Sequence, residues 1–516
     1  MEPIFRGKGV TESERYLAQL ADATFLKLWS YPNTYFDRKK HPGEAGKELC
    51  DLLVVCGNEI IIFSDKSIAW PQSDSIGLSW NRWYRRAVKK SVDQIRGAER
   101  WIREFPDRMY LDPACTRRLP FELPPLSARR VHGIAIALGA QGACSKYYND
   151  DDGSLIIYPV LKGKDHIDDS AEHHRPFALG DVDPDGPFVH VFDETALNLI
   201  MREMDTVSDF VRYLNERSQL IRSGRLAMAS SEADLLAMFM STEVGEDHYH
   251  RFPTPDDPTT SIFVAPGQYQ RFVQSRAYNA KKRADSVSYI WDKLIGEFAD
   301  NILDGSSVSV LGEEPSAHQA EPALRMMARE SRLVRRALGD SFRGALIESE
   351  RRGIDRFTRL VMPNELFADQ TVAYIFMVLA YPSDIELEGG YGQYRQARAK
   401  MLETYCYSVL YDHRGLKCAV GIAIDASSRV TKRRGGSEDL IAVEVEEWTD
   451  ELERGVRESR AHYDVLQSHR LRGYTSHIDE YPQPNMPFPN RQQRRAAERK
   501  AKKALRSPQV SHPTRK

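Results

Sequence analysis

Asp51 and Lys66 stand at the two ends of the stretch DLLVVCGNEIIIFSDK, inside the longer run ELCDLLVVCGNEIIIFSDKS. Between them the apolar runs Leu52–Val55 and Ile60–Phe63 meet at Gly57-Asn58, a dipeptide suited to a two-residue hairpin loop. A tight turn there sets Cys56 opposite Glu59, Val55 opposite Ile60, Leu53 opposite Ile62 and Asp51 opposite Ser64. The period of two puts Asp51, Ser64 and Lys66 on one face with Leu53, Val55, Ile60 and Ile62. Leu52, Val54, Ile61, Phe63 and Asp65 take the other. Both faces are apolar, so the sheet is expected to be covered on both sides, as in an α/β core. A carboxylate and a lysine at the ends of buried strands are costly unless paired or bound to something, which makes them a candidate site.

The flanking segments must position these groups. Upstream, TESERYLAQLADATFLKLW repeats Leu17, Leu20, Ala21, Thr24 and Leu28 at helical spacing, and Glu14 falls one step before Leu17 on that stripe. Thr11 and Glu14 also form a capping-box pattern, which accounts for the glutamate without any chemistry. Downstream, NRWYRRAVKKSVDQIRGAERWI reads as a helix with the buried stripe Tyr84, Ala87, Val88, Ser91, Ile95, Ala98, Ile102. Gln94 lies at the edge of that stripe. Arg82, Arg85, Arg86, Lys89 and Lys90 make the other surface basic, either a solvated outer face or a track for a phosphate backbone.

An aspartate, a hairpin and an acid-x-lysine at the end of the second strand resemble the PD-(D/E)XK nuclease superfamily, closest to the nuclease-related domains of bacterial proteins. The resemblance covers the helix, strand, strand, helix order of about the first fifth of the chain. It implies a restriction-endonuclease-like α/β domain that hydrolyses phosphodiesters with Mg²⁺ or Mn²⁺, on DNA first, in defence or repair. It assigns Asp51 to the first metal-holding acid and Lys66 to the lysine that orients the attacking water. Ser64 stands where the family has its second acid, and a hydroxyl is a poorer ligand for a hard cation than a carboxylate. Asp65 replaces that acid if a bulge turns it inward; otherwise it is a strand-end charge paired with a basic residue on a neighbouring helix. Glu14 matches the family's first-helix glutamate, a further metal ligand, and Gln94 its glutamine on the helix after the lysine. The rival expectation is a nucleic-acid-binding or scaffold protein that keeps the fold and lacks the chemistry. A third reading makes the hairpin an ordinary strand pair and places the function in the C-terminal half.

The 516 residues suffice for two to four domains. The expected division is a nuclease-like unit over 1–105, a mixed α/β unit over 106–215, a mainly helical region over 216–310, an α/β unit over 311–468, and a proline-rich linker with a basic tail over 469–516. No apolar run approaches the roughly 20 residues that span a bilayer, and the start lacks the apolar core of a signal peptide, so the expectation is a cytosolic protein with no membrane partner. Six scattered cysteines offer neither C-x-x-C nor zinc spacing and read as reduced. The formal charge of −2 is unevenly spread: ten Lys/Arg against Glu498 give the stretch from Arg491 to Lys516 +9, which leaves −11 for the rest. That tail can order on RNA or DNA, or stay solvated. EDHYHRF, DVDPDGP, HHRP and ELEGGYGQY are read as polar loops and turns rather than metal or phosphate sites. The segment from Gly267 to Leu303 reads as one long amphipathic helix. No nucleotide-hydrolysing motif is present, so a motor would come from a protein partner; oligomeric state stays open.

Overall fold

The computed structural model describes residues 3–37, 45–242, 249–254, 257, 260–307, 317–363, 371–381, 390–426, 437–466 and 479–482. In chain order the first elements are α1 (Glu12–Thr24), β1 (Ser30–Phe36), β2 (Lys47–Cys56), β3 (Glu59–Ser67), α2 (Ile76–Tyr84), a π-helical turn (Arg85–Lys89), α3 (Lys90–Glu104), β4 (Met109–Tyr110) and β5 (Arg130–Leu138). They are followed by α4 (Gln141–Tyr148), β6 (Ile156–Lys162), β7 (Ala178–Asp181), β8 (Val189–Phe192), α5 (Glu194–Glu203), α6 (Val207–Arg222), β9 (Leu226–Ala229), α7 (Glu232–Ser241) and β10 (Ile262–Val264).

The β2–β3 hairpin forms in the expected register, Leu52 opposite Phe63 through Cys56 opposite Glu59. Gly57 takes φ +60 while Asn58 does not enter the left-handed region, the pattern of a turn with glycine at its first central position. Alternation then sorts the side chains. Leu52, Val54, Ile61 and Phe63 join the core beneath α1 and α5; Leu53, Val55, Ile60 and Ile62 join the one beneath α2 and α3.

The sheet continues past the hairpin, in the order β4-β1-β2-β3-β5-β8, with β3–β5 and β5–β8 parallel. The expected boundary at residue 105 therefore falls inside a sheet: of the strands in the expected second α/β unit, β5 and β8 complete the first sheet, while β6 and β7 belong to another. The reason is physical: β3 is buried and needs a second hydrogen-bonding neighbour, which β5 supplies from Glu59–Arg130 to Ser67–Leu138 without a break. A second sheet has the order β10-β9-β6-β7.

Helices α8 (Gln268–Gln274), α9 (Arg276–Asp285) and α10 (Tyr289–Leu303) replace the expected single long helix. Ser275 leaves the helical region and caps α9, accepting a hydrogen bond from the Tyr278 N–H, and Ser286–Ser288 form a 3₁₀ turn. The chain closes with α11 (Ala317–Ala328), α12 (Arg332–Arg352), β11 (Arg356–Val361), β12 (Val372–Leu379), α13 (Gly390–Asp412), β13 (Cys418–Asp425), β14 (Glu438–Glu444) and α14 (Asp450–His462). Its third sheet has the order β11-β12-β13-β14, with a parallel centre bridged by α13. The core under α1 runs without interruption through α5, α7, α10 and α12 to Phe376 and Ile422 of the third sheet, so the expected units share one interior. Among the described residues no helix is long and apolar enough to cross a membrane. All six cysteines are free.

Candidate functional site

The open end of the β2–β3 hairpin gathers the charged residues. Asp51, 3% exposed, uses Oδ2 to accept from the Lys66 ammonium at 3.2 Å and from the Asp65 backbone N–H at 2.6 Å. The Lys66 ammonium also donates to the Asp65 carbonyl and stays partly open to solvent. Burial pushes the Asp51 carboxyl up, against the pull of Lys66 and of the Asp65 N–H. Lys66 and Ser67 end the strand that runs parallel to β5, and the carboxyl end of a parallel pair is where open α/β sheets place ligands.

Ser64, fully buried, donates its hydroxyl to Gln94 Oε1 at 3.0 Å, so these two expected site residues meet on the α3 side of the sheet. Asp65 keeps the opposite face. The β3–β5 register is unbroken across it, and no bulge turns it inward; the inward-turned alternative is corrected to that extent. The expected basic helix partner is also absent among the described residues. Both Asp65 carboxylate oxygens are buried without a well-formed hydrogen bond, and the Ser13 hydroxyl of α1 is its nearest polar support. Burial, with Asp51 and Glu14 adding repulsion, raises its pKa to about 6 despite Ser13 and Lys66.

Glu14 does what the capping pattern requires and more. Its N–H donates to the Thr11 hydroxyl, and its Oε2 accepts from the Val10 and Thr11 N–H groups. The same oxygen accepts from Asn33 Nδ2 at 2.9 Å, and that amide also donates to Glu48 Oε1 at 3.0 Å. Burial opposes ionisation of Glu14, but the Asn33 and backbone donors outweigh it and hold its carboxyl below the usual range. Burial raises the Glu48 carboxyl, and Asp51 and Glu14 push the same way.

Asn33 and Glu48 escape a reading by strand alternation, which places Glu48 on the face away from Asp51. The β1–β2 register shifts between Thr34 and Tyr35, opposite Cys50 and Glu48, and so breaks that alternation. Asn33, which stands across from Asp51 by the register on either side, has φ +51, a left-handed conformation inside a strand. Such outliers persist where the surroundings enforce them, often at functional sites. The one available signal was Asn33 itself, a residue more tolerant of that conformation than most.

Beside the cluster, every residue of the predicted α2–α3 stripe is buried, and Arg82, Arg85, Arg86, Lys89 and Lys90 are exposed. The π turn at Arg85–Lys89 lies within this basic surface, and such turns are frequent at functional sites. Arg82, Arg86 and Lys90 recur every four residues and lead to Gln94.

Glu14, Glu48, Asp51 and Asp65 are hard oxygen donors, and the unpartnered oxygens of Asp65 are atoms a cation would satisfy. Their placement is incomplete: among the described residues no three Asp, Glu, His or Cys side chains converge well enough to hold a metal ion.

Of the segments expected to be polar loops, DVDPDGP and EDHYHRF supply turns and ion pairs, whereas ELEGGYGQY is corrected: Gly390–Tyr394 form the first turn of α13, where the Tyr391 and Tyr394 hydroxyls donate to Asp425. Asp181 and Asp183 of DVDPDGP pair with Arg222 and Arg96 at 2.7 and 2.6 Å. His250 of EDHYHRF pairs with Glu480, while Glu246, Asp247 and His248 lie outside the described residues, as do residues 386–389 of ELEGGYGQY and the whole basic tail. No family model, curated protein or solved structure matches the chain.

Proposed function

We propose that this chain hydrolyses phosphodiester bonds of nucleic acid, DNA first, at the Asp51–Lys66 site with Mg²⁺ or Mn²⁺. The observation that carries this reading is the buried Asp51 held to a partly exposed Lys66 at the end of β3, amid more acid than Lys66 can neutralise. Asp51 with Glu14, Glu48 or Asp65 would hold the cation. Bound there, it would offset phosphate charge and lower the pKa of a water. Lys66, partly exposed, would supply an N–H donor to that water or to a phosphate oxygen. The exposed arginines and lysines of α2–α3 supply the phosphate contacts that fix the backbone without reading its sequence.

A second reading, a nucleic-acid-binding protein on a nuclease-like fold with no chemistry, is favoured by Ser64: the family's second acid is missing there, and the hydroxyl is committed to Gln94. The deciding experiment incubates wild type and Lys66→Ala with plasmid, linear DNA and RNA in Mg²⁺ and in Mn²⁺. Cleavage by the wild type alone supports the hydrolase. Binding without cleavage by either protein moves the assignment to the second reading.

A further inference from the structure

Residues Asp479–Pro482 follow α14 by seventeen positions and dock on elements far from them in sequence. Glu480 enters between α7, α9 and α12. Its carboxylate meets His250 Nε2 at 2.8 Å and Lys281 Nζ at 3.6 Å. Arg336 of α12 donates to the backbone carbonyls of Asp479 at 2.8 Å and Glu480 at 3.4 Å. Tyr481 donates its hydroxyl to the Met240 carbonyl at the end of α7, at 2.7 Å, and its ring lies edge-on to His250.

Three consecutive residues are thus read in three different ways: backbone by a guanidinium, acid by an imidazole and an ammonium, phenol by a carbonyl. Peptide-binding sites combine backbone hydrogen bonds with side-chain pockets in this manner. The cations are built in: Lys281 is 8% and Arg336 7% exposed, Asp285 faces both at 2.6 and 3.6 Å, and Glu480 is the second acid beside Lys281. Burial works against ionisation of Glu480, yet His250, Lys281 and Arg336 bring its carboxyl down to about 2. Glu480 lines a cavity together with Glu203, Asp209 and Arg332.

We propose that the pocket between α7, α9 and α12 is a recognition site for an acidic–aromatic peptide of the type Asp-Glu-Tyr, occupied in cis by Asp479–Tyr481. The site is independent of the Asp51–Lys66 cluster and stands whether or not the chain cleaves nucleic acid. A peptide of this type presented by another protein competes with the chain's own segment for the same pocket.

The test uses the full-length protein and a fluorescein-labelled peptide spanning residues 476–485. In wild type the tethered segment competes, whereas full-length Glu480→Gln/Tyr481→Ala vacates the pocket. The expected result is at least tenfold tighter peptide binding by the double variant, with its thermal melt confirming the fold. The same peptide carrying Glu480→Gln, which needs no folding of its own, should lose at least tenfold in affinity for that variant. Equal affinity of the two proteins for the peptide, absence of binding by both, or indifference to the Glu480→Gln change in the peptide would each overturn the proposal.

Discussion

The first and third sheets both end in buried charge, and the two ends are built differently. At the end of the third sheet Arg398, fully buried on α13, donates to Asp439 at 2.6 Å, to Ser437 at 2.9 Å and to Asp425. Arg395 takes the other oxygen of Asp439, and the Tyr391 and Tyr394 hydroxyls serve Asp425. Each aspartate there has an arginine facing it. At the end of the first sheet Glu48, Asp51 and Asp65 feel the charge of Lys66, Glu14 adds repulsion to all three, and Asp65 is left without a well-formed hydrogen bond. A buried network whose charges close on themselves holds a fold together; one left with surplus acid is poised for something to arrive.

Removing the central cation of the closed network should have the largest effect. Arg398→Met leaves Asp425 and Asp439 buried without their main partner and should cost about 3–5 kcal/mol in urea unfolding, the range for breaking a buried ion pair. In the open cluster Lys66→Ala should cost less stability than Arg398→Met, because Lys66 is partly exposed and Asp51 keeps the Asp65 N–H, and should lower cleavage on the order of 10²–10⁴-fold, as removal of a proton-handling or orienting group does. A large loss of stability in Lys66→Ala would show that the lysine is as structural as Arg398.

Asp65 sharpens the contrast because its removal should help. Its carboxyl titrates near 6 when folded, above the ordinary 3.8 of an aspartate. The native state therefore binds the proton more tightly, and this group makes stability fall as pH rises from about 4 to about 6. Asp65→Asn should remove that slope and raise stability by roughly 1–2 kcal/mol at pH 7, with no gain below pH 4, as read from urea melts across that range. A destabilised Asp65→Asn at pH 7 would mean that the carboxylate has a partner in solution. Glu48→Gln keeps the hydrogen bond from Asn33 and should weaken Mn²⁺ binding about tenfold, measured by titration, with little change in melting temperature. The smallest effect belongs to the tail: deleting residues 491–516 should flatten the salt dependence of nucleic-acid binding by about 0.9 logarithmic units for each phosphate the tail neutralises.

How much of this was legible follows from the range of the interactions. The hairpin and its register from Leu52–Phe63 to Cys56–Glu59 follow from a two-residue turn and a period of two, which are local; the expected pairing of Asp51 with Ser64 is absent from the ladder, where Asp51 instead accepts from the Asp65 N–H. The buried stripe of α2–α3 is local too, and it survives the π turn. The pairing of β5 and β8 with β3 is not, because nothing in RVHGIAIAL or FVHVF says which strand each will lie beside. Glu48 was hidden by a bulge, and Arg398 by its setting: an arginine on a long polar helix reads as a surface charge until the aspartates of two distant strands fold against it. The surplus acid was visible as composition, while its want of a basic partner was a matter of packing.

The shared interior has a consequence for engineering. A chain cut at residue 105 keeps the hairpin, α1 and the basic helix but forfeits β5, and with it the partner of every residue from Glu59 to Ser67. The naked side of β3 would offer Ile60, Ile61, Ile62 and Phe63 to any passing chain as a template for stacking. The portion that carries Asp51 and Lys66 is not a self-contained unit ending at that helix; a fragment that keeps its sheet must reach at least through Phe192 of β8.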